Sequence, residues 1–571
     1  MFDKSLIFFK MNIKHEIPPK FSSGFASIDL EIFGLNENQL HRPNSGTLAC
    51  ASIAHESDPE TAYIITEEKQ IQGALDNLEH CVHVFQYGTF DVVHLRRWAK
   101  YPPRKKFWDT YLVERIMYGG YYDKFALDDL IRRHLGEYRD KSLQKSFSDA
   151  TELSREQIQY AAHDAIDTLK VALSQKKQID KDSFNVWKKI DLPALWAFLD
   201  FQGFRLDVDA WKALAKHNEQ MEQELDESFD FNPRSPKQVK EKLQKLGWKS
   251  LKSTAVGELE KRSSKNPESD PALLTNKILE YRKYKKRAST YGMNFVEDYL
   301  ESELDYHVIH SNYNVVGAKT GRTSSSNPNL QNIIARDTDA YRNCFLARPG
   351  NKLVVIDYSA NEPRFLAYKC QEPWMIDIFN SDRDIYIALA KDVFGEEIDK
   401  KSPRRNDMKA IILGTDYGMS EYGLAKKLGC SKDEAAEFFR IMFKKLPNLA
   451  DYMHEQRTKT TYVTTVGGRK AWLNPYSAQC ERNALNSPIQ GSAADLLKLS
   501  LNLLHQRWPT DLRFGVVGQV HDEIIIDSPA ISIREVSEFA EKCMMEAGEI
   551  LCPTIPFPAK PIICDKWGEA K

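Results

Sequence analysis

The chain has 571 residues, 42% apolar and 28% charged, a length that exceeds one hydrophobic core and predicts about three or four domains of ordinary globular composition. Its 79 basic and 81 acidic side chains leave a net charge of −2, which excludes a uniformly basic polyanion-binding surface and leaves local clustering as the route to any nucleic-acid site. Nine cysteines with no Cys-x-x-Cys pair read as reduced thiols rather than a disulfide or zinc framework, and no apolar run reaches the roughly 18 residues of a membrane helix or forms a signal peptide.

From residue 24 to about 175, strand-like and helix-like segments alternate, which predicts an α/β domain. In Ile28-Asp29-Leu-Glu31 the period of two puts both acids on one face of a strand. Phe85-Gln-Tyr-Gly-Thr-Phe-Asp91 adds a third acid. Tyr160-Ala-Ala-His-Asp164 sets a phenol and a carboxylate at i and i+4 on a helix predicted over 154–173. Each of these alone is weak, since an Asp-x-Glu on a strand is usually solvated. Gln175-Lys-Lys-Gln-Ile-Asp-Lys-Asp182 is expected to be a linker. Residues from about 190 to 305 have long, polar, helical periodicity, with Lys277–Arg287 carrying six basic residues against one acid. That run reads either as a solvated helix face or as a helix tracking a phosphate backbone.

Strand signals return at 352–357 and 513–527 around a mostly helical segment, the pattern of a palm interrupted by a helical insertion. Lys352-Leu-Val-Val-Ile-Asp357 and Val-Gly-Gln-Val-His521-Asp522-Glu523 both end β-branched, apolar runs in carboxylates. Such an arrangement is unfavourable without a cation, so the two runs suggest one divalent-metal site for phosphoryl transfer. Between them, Arg405, Lys409, Leu413 and Tyr417 recur every four residues and form one slowly drifting helical stripe. Two cations, an apolar residue, a ring and then Gly418 suit a nucleoside triphosphate: positive charge on the phosphates, side-chain surface under the base.

In order, these blocks resemble motifs A, B and C of the family A DNA polymerases, the bacterial DNA polymerase I group. Thr320-Gly-Arg322-Thr-Ser-Ser-Ser-Asn-Pro-Asn-Leu-Gln-Asn332, Glu481-Arg482-Asn-Ala-Leu-Asn486-Ser-Pro-Ile-Gln490 and Leu279-Glu-Tyr-Arg-Lys extend the likeness over essentially the whole chain. The resemblance implies a multidomain α/β and α+β fold, with a ribonuclease H-like 3′→5′ exonuclease domain ahead of a right-hand polymerase. The implied map is exonuclease 1–185, thumb 186–310, palm 311–372 and 488–571, and fingers 373–487. Asp357, Asp522 and the Tyr358 carbonyl would hold two Mg²⁺ ions, Mn²⁺ being able to substitute. Lys409 would neutralise charge on the phosphates, Arg405 would grip the phosphate tail, and Tyr417 would sit where the template base stacks. Glu362 would block a ribose 2′ position, favouring DNA synthesis over the single-subunit RNA polymerase alternative. Arg322, Arg482, Asn486 and Gln490 would contact the minor groove, His521 would place the primer terminus, and Glu523 is auxiliary.

For the exonuclease, the resemblance implies two further Mg²⁺ held by Asp29, Glu31, Asp91 and Asp164, with Tyr160 orienting the attacking water. Every acid of that set is present, so activity is expected, while His163, Asp109 and Asp167 are read as structural. Four positions depart from the family pattern: Leu413 for an aromatic, Tyr386 for a phosphate-contacting histidine, Ala360 for a polar residue, and Asp416 beside the stacking tyrosine. They leave nucleotide selection open, and Leu413 and Asp416 motivate a damage-bypass polymerase as one alternative. A nucleic-acid scaffold with decayed sites is another. The expected partners are primer–template DNA and deoxynucleoside triphosphates, with no membrane and a monomeric chain. No 5′-nuclease module is expected ahead of the exonuclease. The expected setting is the cytoplasm of a bacterial or phage-infected cell, or an organelle if a presequence is removed.

Overall fold

The computed structural model describes residues 11–35, 45–102, 105–303, 305–335, 338–508 and 515–570; the side chain of Asp416 lies outside the described residues. Contacts divide the chain into two compact units. The first takes Met1–Gln202, Asn312–Gln331 and Val354–Ile562, and the second Gly203–Ser311, Asn332–Leu353 and Ile563–Lys571.

The first unit begins with a six-stranded mixed sheet of β1 (Asn12–Lys14), β2 (Phe25–Phe33), β3 (Thr47–His55), β4 (Asp58–Ile65), β5 (Val82–Phe85) and β6 (Phe107–Asp109), in the order β1-β4-β3-β2-β5-β6. β2, β3 and β4 run antiparallel, whereas β5 and β6 continue parallel to β2. β2 is the strand that matters most. Ile28, Leu30 and Ile32 bury one face while Asp29 and Glu31 remain partly open on the other. Helix Arg155–Gln178 lies across β2, β3 and β4. Its fully buried Ala161, Ala165 and Ala172 admit a close backbone approach, and Ser27 Oγ donates to the Ala165 carbonyl at 2.7 Å. A capping box of Ser154 and Gln157 starts this helix.

The stretch 175–182 is not an extended linker. The helix runs to Gln178, and a new one starts at Lys181 under an Asp180 cap. Gln175 is fully buried, accepting from Trp108 Nε1 at 3.0 Å and donating to the Thr110 carbonyl and to Glu114 at 2.9 Å each. The lysines 176, 177 and 181 are exposed as their content suggested, but they stand on helices, and Gln175 beside them is buried.

Later in the same unit lies a four-stranded sheet in the order β16-β17-β13-β18, formed by β13 (Asn351–Tyr358), β16 (Gly515–Val520), β17 (Glu523–Pro529) and β18 (Ala559–Cys564). Helices Asn361–Cys370, Cys480–Gln506 and Ile533–Leu551 pack together beside it. Two short ribbons accompany them, β10 (Asn312–Asn314) with β11 (Ser324–Ser326), and β14 (Tyr462–Thr464) with β15 (Lys470–Trp472). A buried ionic quartet ties residue 191 to the loop of the second ribbon and to helix Cys480–Gln506. Arg469 donates twice to Asp191 at 2.8 Å and from Nε to Asp495 at 2.9 Å, and Lys498 reaches Asp191 at 2.7 Å. Burial alone would raise the Asp191 carboxyl, but Arg469 and Lys498 hold it below the usual range. Two acids and two cations cancel, which is the condition for keeping charge this deep.

The second unit holds the sheet β12-β7-β9-β8, from β7 (Phe204–Leu206), β8 (Leu300–Glu303), β9 (Tyr306–Ile309) and β12 (Phe345–Leu346). Helices Val208–Glu227 and Asp270–Tyr291 pack on each other. Trp211, fully buried, stacks on Phe295 at 4.2 Å between ring centroids. In the basic run, Ile278 and Tyr281 are the buried anchors, Lys285 pairs with Glu222 at 2.8 Å, and Lys283 and Lys286 are exposed.

Candidate functional site

The chain carries two carboxylate sites, both within the first unit. The later one is built at the end of β13. Leu353–Ile356 are buried, Asp357 is exposed, and Tyr358 turns inward, its hydroxyl donating to the Met544 carbonyl at 2.6 Å and pairing with Ser500 Oγ at 2.7 Å. Residues 513 and 514 of the strand signal at 513–527 lie outside the described residues, and the rest is not one strand. It folds into a hairpin whose two-residue turn is His521–Asp522, with Val520 opposite Glu523 and His521 at φ +56°. β17 lies next to β13, which brings the turn acids to the end of the neighbouring strand. Partial burial, then the charges of Asp522 and Glu523, push the Asp357 carboxyl up to about 7, against the Tyr358 N–H and Lys409. Residues far apart in sequence thus share one electrostatic neighbourhood.

Beyond β13, Ala360 takes a left-handed φ of +53° and helix Asn361–Cys370 begins with Glu362 and Pro363 in its first turn. Proline is tolerated there because a first-turn N–H needs no partner. Glu362 is buried and accepts from Arg322 Nη2 at 2.6 Å. Burial raises its carboxyl and the Arg322 charge opposes that rise. Arg322 itself sits in the loop of the β10–β11 ribbon; the next residue, Thr323, and Gln331 beyond β11 both donate to Gln519 Oε1, at 2.8 and 3.0 Å.

Helix Pro403–Asp416 carries Arg405, Lys409 and Leu413. The Tyr417 N–H bonds the Leu413 carbonyl at 3.1 Å, so the stripe extends through the last turn. Met408, Ile411 and Ile412 bury the opposite face, and Lys409 is exposed. Gly418 ends the helix at φ +60°, where an added Cβ would lie 3.2 Å from Leu485 and 3.7 Å from the Arg482 backbone. Arg405 donates from Nε and Nη2 to Asp384 Oδ2 at 2.9 and 2.8 Å, and its guanidinium lies 5.2 Å from the Tyr386 ring centroid. Asp384 also caps helix Ile385–Phe394, accepting from the Tyr386 and Ile387 N–H groups. Sequence reasoning missed Asp384. An Asp before an apolar helical run signals a cap, but nothing in the sequence signals its pairing with a residue on the next helix.

Arg482, Asn486 and Gln490 lie at four-residue spacing on helix Cys480–Gln506. Gln490 donates to Tyr417 Oη at 2.8 Å, while Asn486 Oδ1 is buried without a hydrogen bond. Residues expected to touch DNA, Arg322 and Gln490, are therefore bonded to Glu362 and Tyr417, which are expected to meet the incoming nucleotide.

The earlier site is more enclosed. Asp29, Glu31 and Asp164 each offer an oxygen, and the three atoms lie within 4.8 Å of one another. Asp29 Oδ2 is buried with no hydrogen-bond partner. Burial and then the Asp164 charge raise Asp29 to about 7, and Glu31 is pushed well above the carboxylate range by burial, Asp29 and Asp164. An unpartnered buried oxygen among mutually repelling carboxyls fits a hard divalent cation. Asp91 lies in the first turn of helix Thr89–Trp98 and accepts from the Leu30 N–H at 3.0 Å. It stands outside the trio, and burial and Asp29 raise its carboxyl as well. Tyr160, buried one helical turn from Asp164, lies against Phe147. Asp109 caps helix Thr110–Tyr118, accepting from Leu112, and binds the Gly88 N–H at 2.8 Å. Asp167 is paired with Arg139 at 2.7 and 3.1 Å. Sequence reasoning also missed Lys141. Its ammonium contacts both oxygens of Asp164, at 2.6 and 2.8 Å, and Tyr160 Oη at 3.3 Å. Its only sequence signal is a cation in the polar segment before the helix.

Comparison with known proteins agrees with this division. Residues 208–569 match the family model described as DNA polymerase family A, and residues 36–180 match one described as 3′-5′ exonuclease. The exonuclease match begins after Asp29 and Glu31, the trio's two β2 residues. The chain is 31% identical over 500 residues to the DNA polymerase I of Pseudomonas aeruginosa, covering 81% of this chain and 54% of that protein. Against the DNA polymerase I of Aquifex aeolicus it is 30% identical over 517 residues, covering 84% of this chain and 86% of that one. Against that of Chloroflexus aurantiacus it is 30% identical over 447 residues, 72% of this chain and 46% of the relative, so the chain spans about half the length of the first and third of these. A solved structure, the POL domain of Pol1 from M. smegmatis in complex with DNA primer-template and dNTP, superposes with a TM-score of 0.79 at 23% identity, covering 95% of this chain and 96% of that one, a likeness of fold. The chain belongs to DNA polymerase family A and carries a 3′-5′ exonuclease domain. Both domain families are metal-dependent.

Proposed function

We propose that this chain extends a primer 3′ end on a DNA template and removes misplaced nucleotides with its exonuclease domain. It does so as an exonuclease at 1–185, a thumb at 186–310, a palm at 311–372 and 488–571, and fingers at 373–487. The observation that carries this reading is the shared electrostatic neighbourhood of Asp357, Asp522, Glu523 and Lys409 in a family A chain.

Asp357, Asp522 and the Tyr358 carbonyl would hold two Mg²⁺, or Mn²⁺ in their place, and Asp29, Glu31, Asp91 and Asp164 two more. Bound there, the ions supply Lewis acidity for the attacking oxygen and steady the leaving group. The chain's own residues do the rest. Lys409 and Arg405 draw the triphosphate along one face of their helix, and the Asp384 clamp fixes Arg405 in reach. Glu362, braced by Arg322, fills the space beside the sugar C2′. Tyr417, braced by Gln490, offers a stacking surface next to the Gly418 turn. Arg482 and Asn486 read minor-groove acceptors, which are nearly independent of sequence, and His521 sits beside Asp522 to place the primer end. Leu413 occupies the stripe between Lys409 and Tyr417, where its bulk bears on the sugar. In the exonuclease, Tyr160 orients the attacking water. Glu523 acts on Asp357 through charge. The substrates are primer–template DNA and deoxynucleoside triphosphates, met by a monomeric chain in bacterial, phage or organellar replication or repair.

Primer extension on a long single-stranded template with Mg²⁺ tests the reading, each site being disabled in turn. The intact chain should extend the primer and, without nucleotides, shorten it. Asp357→Ala should lose only extension, and Asp29→Ala only shortening. Loss of both activities in Asp357→Ala would overturn the division of labour. No extension by the intact chain would leave a nucleic-acid scaffold as the better reading.

A further inference from the structure

The loop preceding helix Arg155–Gln178 is fastened to that helix at several points. Arg139 forks onto Asp167 at 2.7 and 3.1 Å, Ser146 Oγ accepts from Gln157 at 3.0 Å, and the buried Phe147 lies 6.2 Å from the Tyr160 ring centroid. Between these fastenings the loop delivers one cation, Lys141, onto Asp164 and Tyr160. A lysine held on both sides by a bidentate ion pair and a buried ring is a built feature rather than a wandering surface side chain.

We infer that Lys141 is a positioning residue of the exonuclease, holding Tyr160 and Asp164 as one unit and supplying the positive charge that balances a scissile phosphodiester. This rests on the exonuclease reading above. An ammonium has three donors, and all three are used here: two on the Asp164 oxygens and one on Tyr160 Oη. With its oxygen accepting from Lys141, the phenol keeps its own proton for donation, as orienting a water or a phosphate oxygen requires. Charge counting points the same way. Asp29, Glu31, Asp91 and Asp164 together match two divalent cations, so a phosphodiester would enter a neutral site as an uncompensated anion. Lys141 is a cation in direct contact with the cluster, through both oxygens of Asp164. Its side chain is 22% exposed, so solvent and an incoming strand can reach it.

The test compares Lys141→Met and Lys141→Arg with the unsubstituted full chain in three measurements. The first is digestion of a single-stranded oligonucleotide at saturating Mg²⁺. The second is anisotropy-detected binding of the same oligonucleotide in EDTA, and the third is primer extension. Lys141→Met should digest about 10- to 100-fold more slowly, the range for groups that orient metal ligands. It should also bind the single strand more weakly in EDTA and extend primers as before. Lys141→Arg should recover most of the digestion, because a guanidinium can bridge the same two partners. Digestion by Lys141→Met at the unsubstituted rate overturns the inference, and so does faster digestion at lower Mg²⁺, which would make Lys141 a competitor of the metal. A loss that Lys141→Arg does not recover and that comes with a lowered melting temperature also overturns it, leaving a loop anchor. If the unsubstituted chain digests nothing, the exonuclease reading fails instead, and the EDTA binding alone decides the part of Lys141.

Discussion

The two carboxylate sites solve one problem in opposite ways. In the exonuclease, Asp29, Glu31 and Asp164 are gathered by one strand and one helix that cross each other, and burial dominates the behaviour of the acids. In the polymerase domain, Asp357 is exposed at a strand end, its partners come from a hairpin turn, and helix Pro403–Asp416 contributes Lys409. A site that takes one strand end at a time tolerates a closed pocket with its own internal cation. On the proposed function, the other site receives a duplex and a triphosphate together and has to stay open, which accounts for its positive charge on a separate helix. Closure is therefore expected to govern metal and pH response, and openness to govern substrate selection.

Reciprocal inactivation gives the largest effect. Asp357→Ala should lower extension by about 10³-fold or more, and Asp29→Ala should do the same to digestion, since each removes several kcal/mol of charge stabilisation. Single-turnover rates with the other activity as internal control check both, and cross-inhibition would break the comparison. Next, Glu362→Ala should lose about 10²-fold of discrimination against ribonucleotides, the size that shape alone supplies. Competing dCTP and rCTP incorporation measures it, and unchanged selectivity would detach Glu362 from the sugar.

The pH response sharpens the contrast. Asp29 and Asp357 both rise to about 7, so protons compete with Mg²⁺ below neutrality at both sites. Half-saturating Mg²⁺ for extension should fall about tenfold from pH 6 to pH 8, one proton per ion-binding event. For digestion the fall should be steeper, because Glu31 and Asp91 are raised too. Equal slopes would mean that burial does not distinguish the sites. The smallest effect is on stability. Folded Asp29 and Asp357 bind protons more tightly than an unperturbed aspartate, which titrates near 3.8, so the metal-free chain loses stability as pH rises from about 4 to about 7. The expected fall in melting temperature across that window is about 2–4 °C, restored by Mg²⁺ at pH 7 and flattened in Asp29→Asn. A melting temperature that rises across the window would reverse the sign assigned to both acids.

Local pattern carried much of this from residues alone. Period two put Asp29 and Glu31 on one face of β2, and period four put Arg405, Lys409, Leu413 and Tyr417 on one stripe, because both follow from backbone geometry that any strand or helix obeys. The end of the strand at Asp357 was legible for the same reason. The fate of 175–182 was not, because lysine content describes solvent preference and the buried Gln175 joins partners some sixty residues away. The hairpin break at His521–Asp522 was not read because apolar β-branched residues flank it on both sides and no glycine or proline stands at the turn to announce it.

What the order of residues determined by itself is the set of reactive groups and the face each presents, since side-chain direction is a local property of helix and strand. What only the tertiary structure decided is which of those groups are neighbours. Lys141 on Asp164, Asp384 on Arg405, Arg322 on Glu362 and Gln490 on Tyr417 each join side chains at least 21 residues apart. Such pairings depend on how whole elements pack, and packing is settled by the sum of buried surface over the core rather than by any motif.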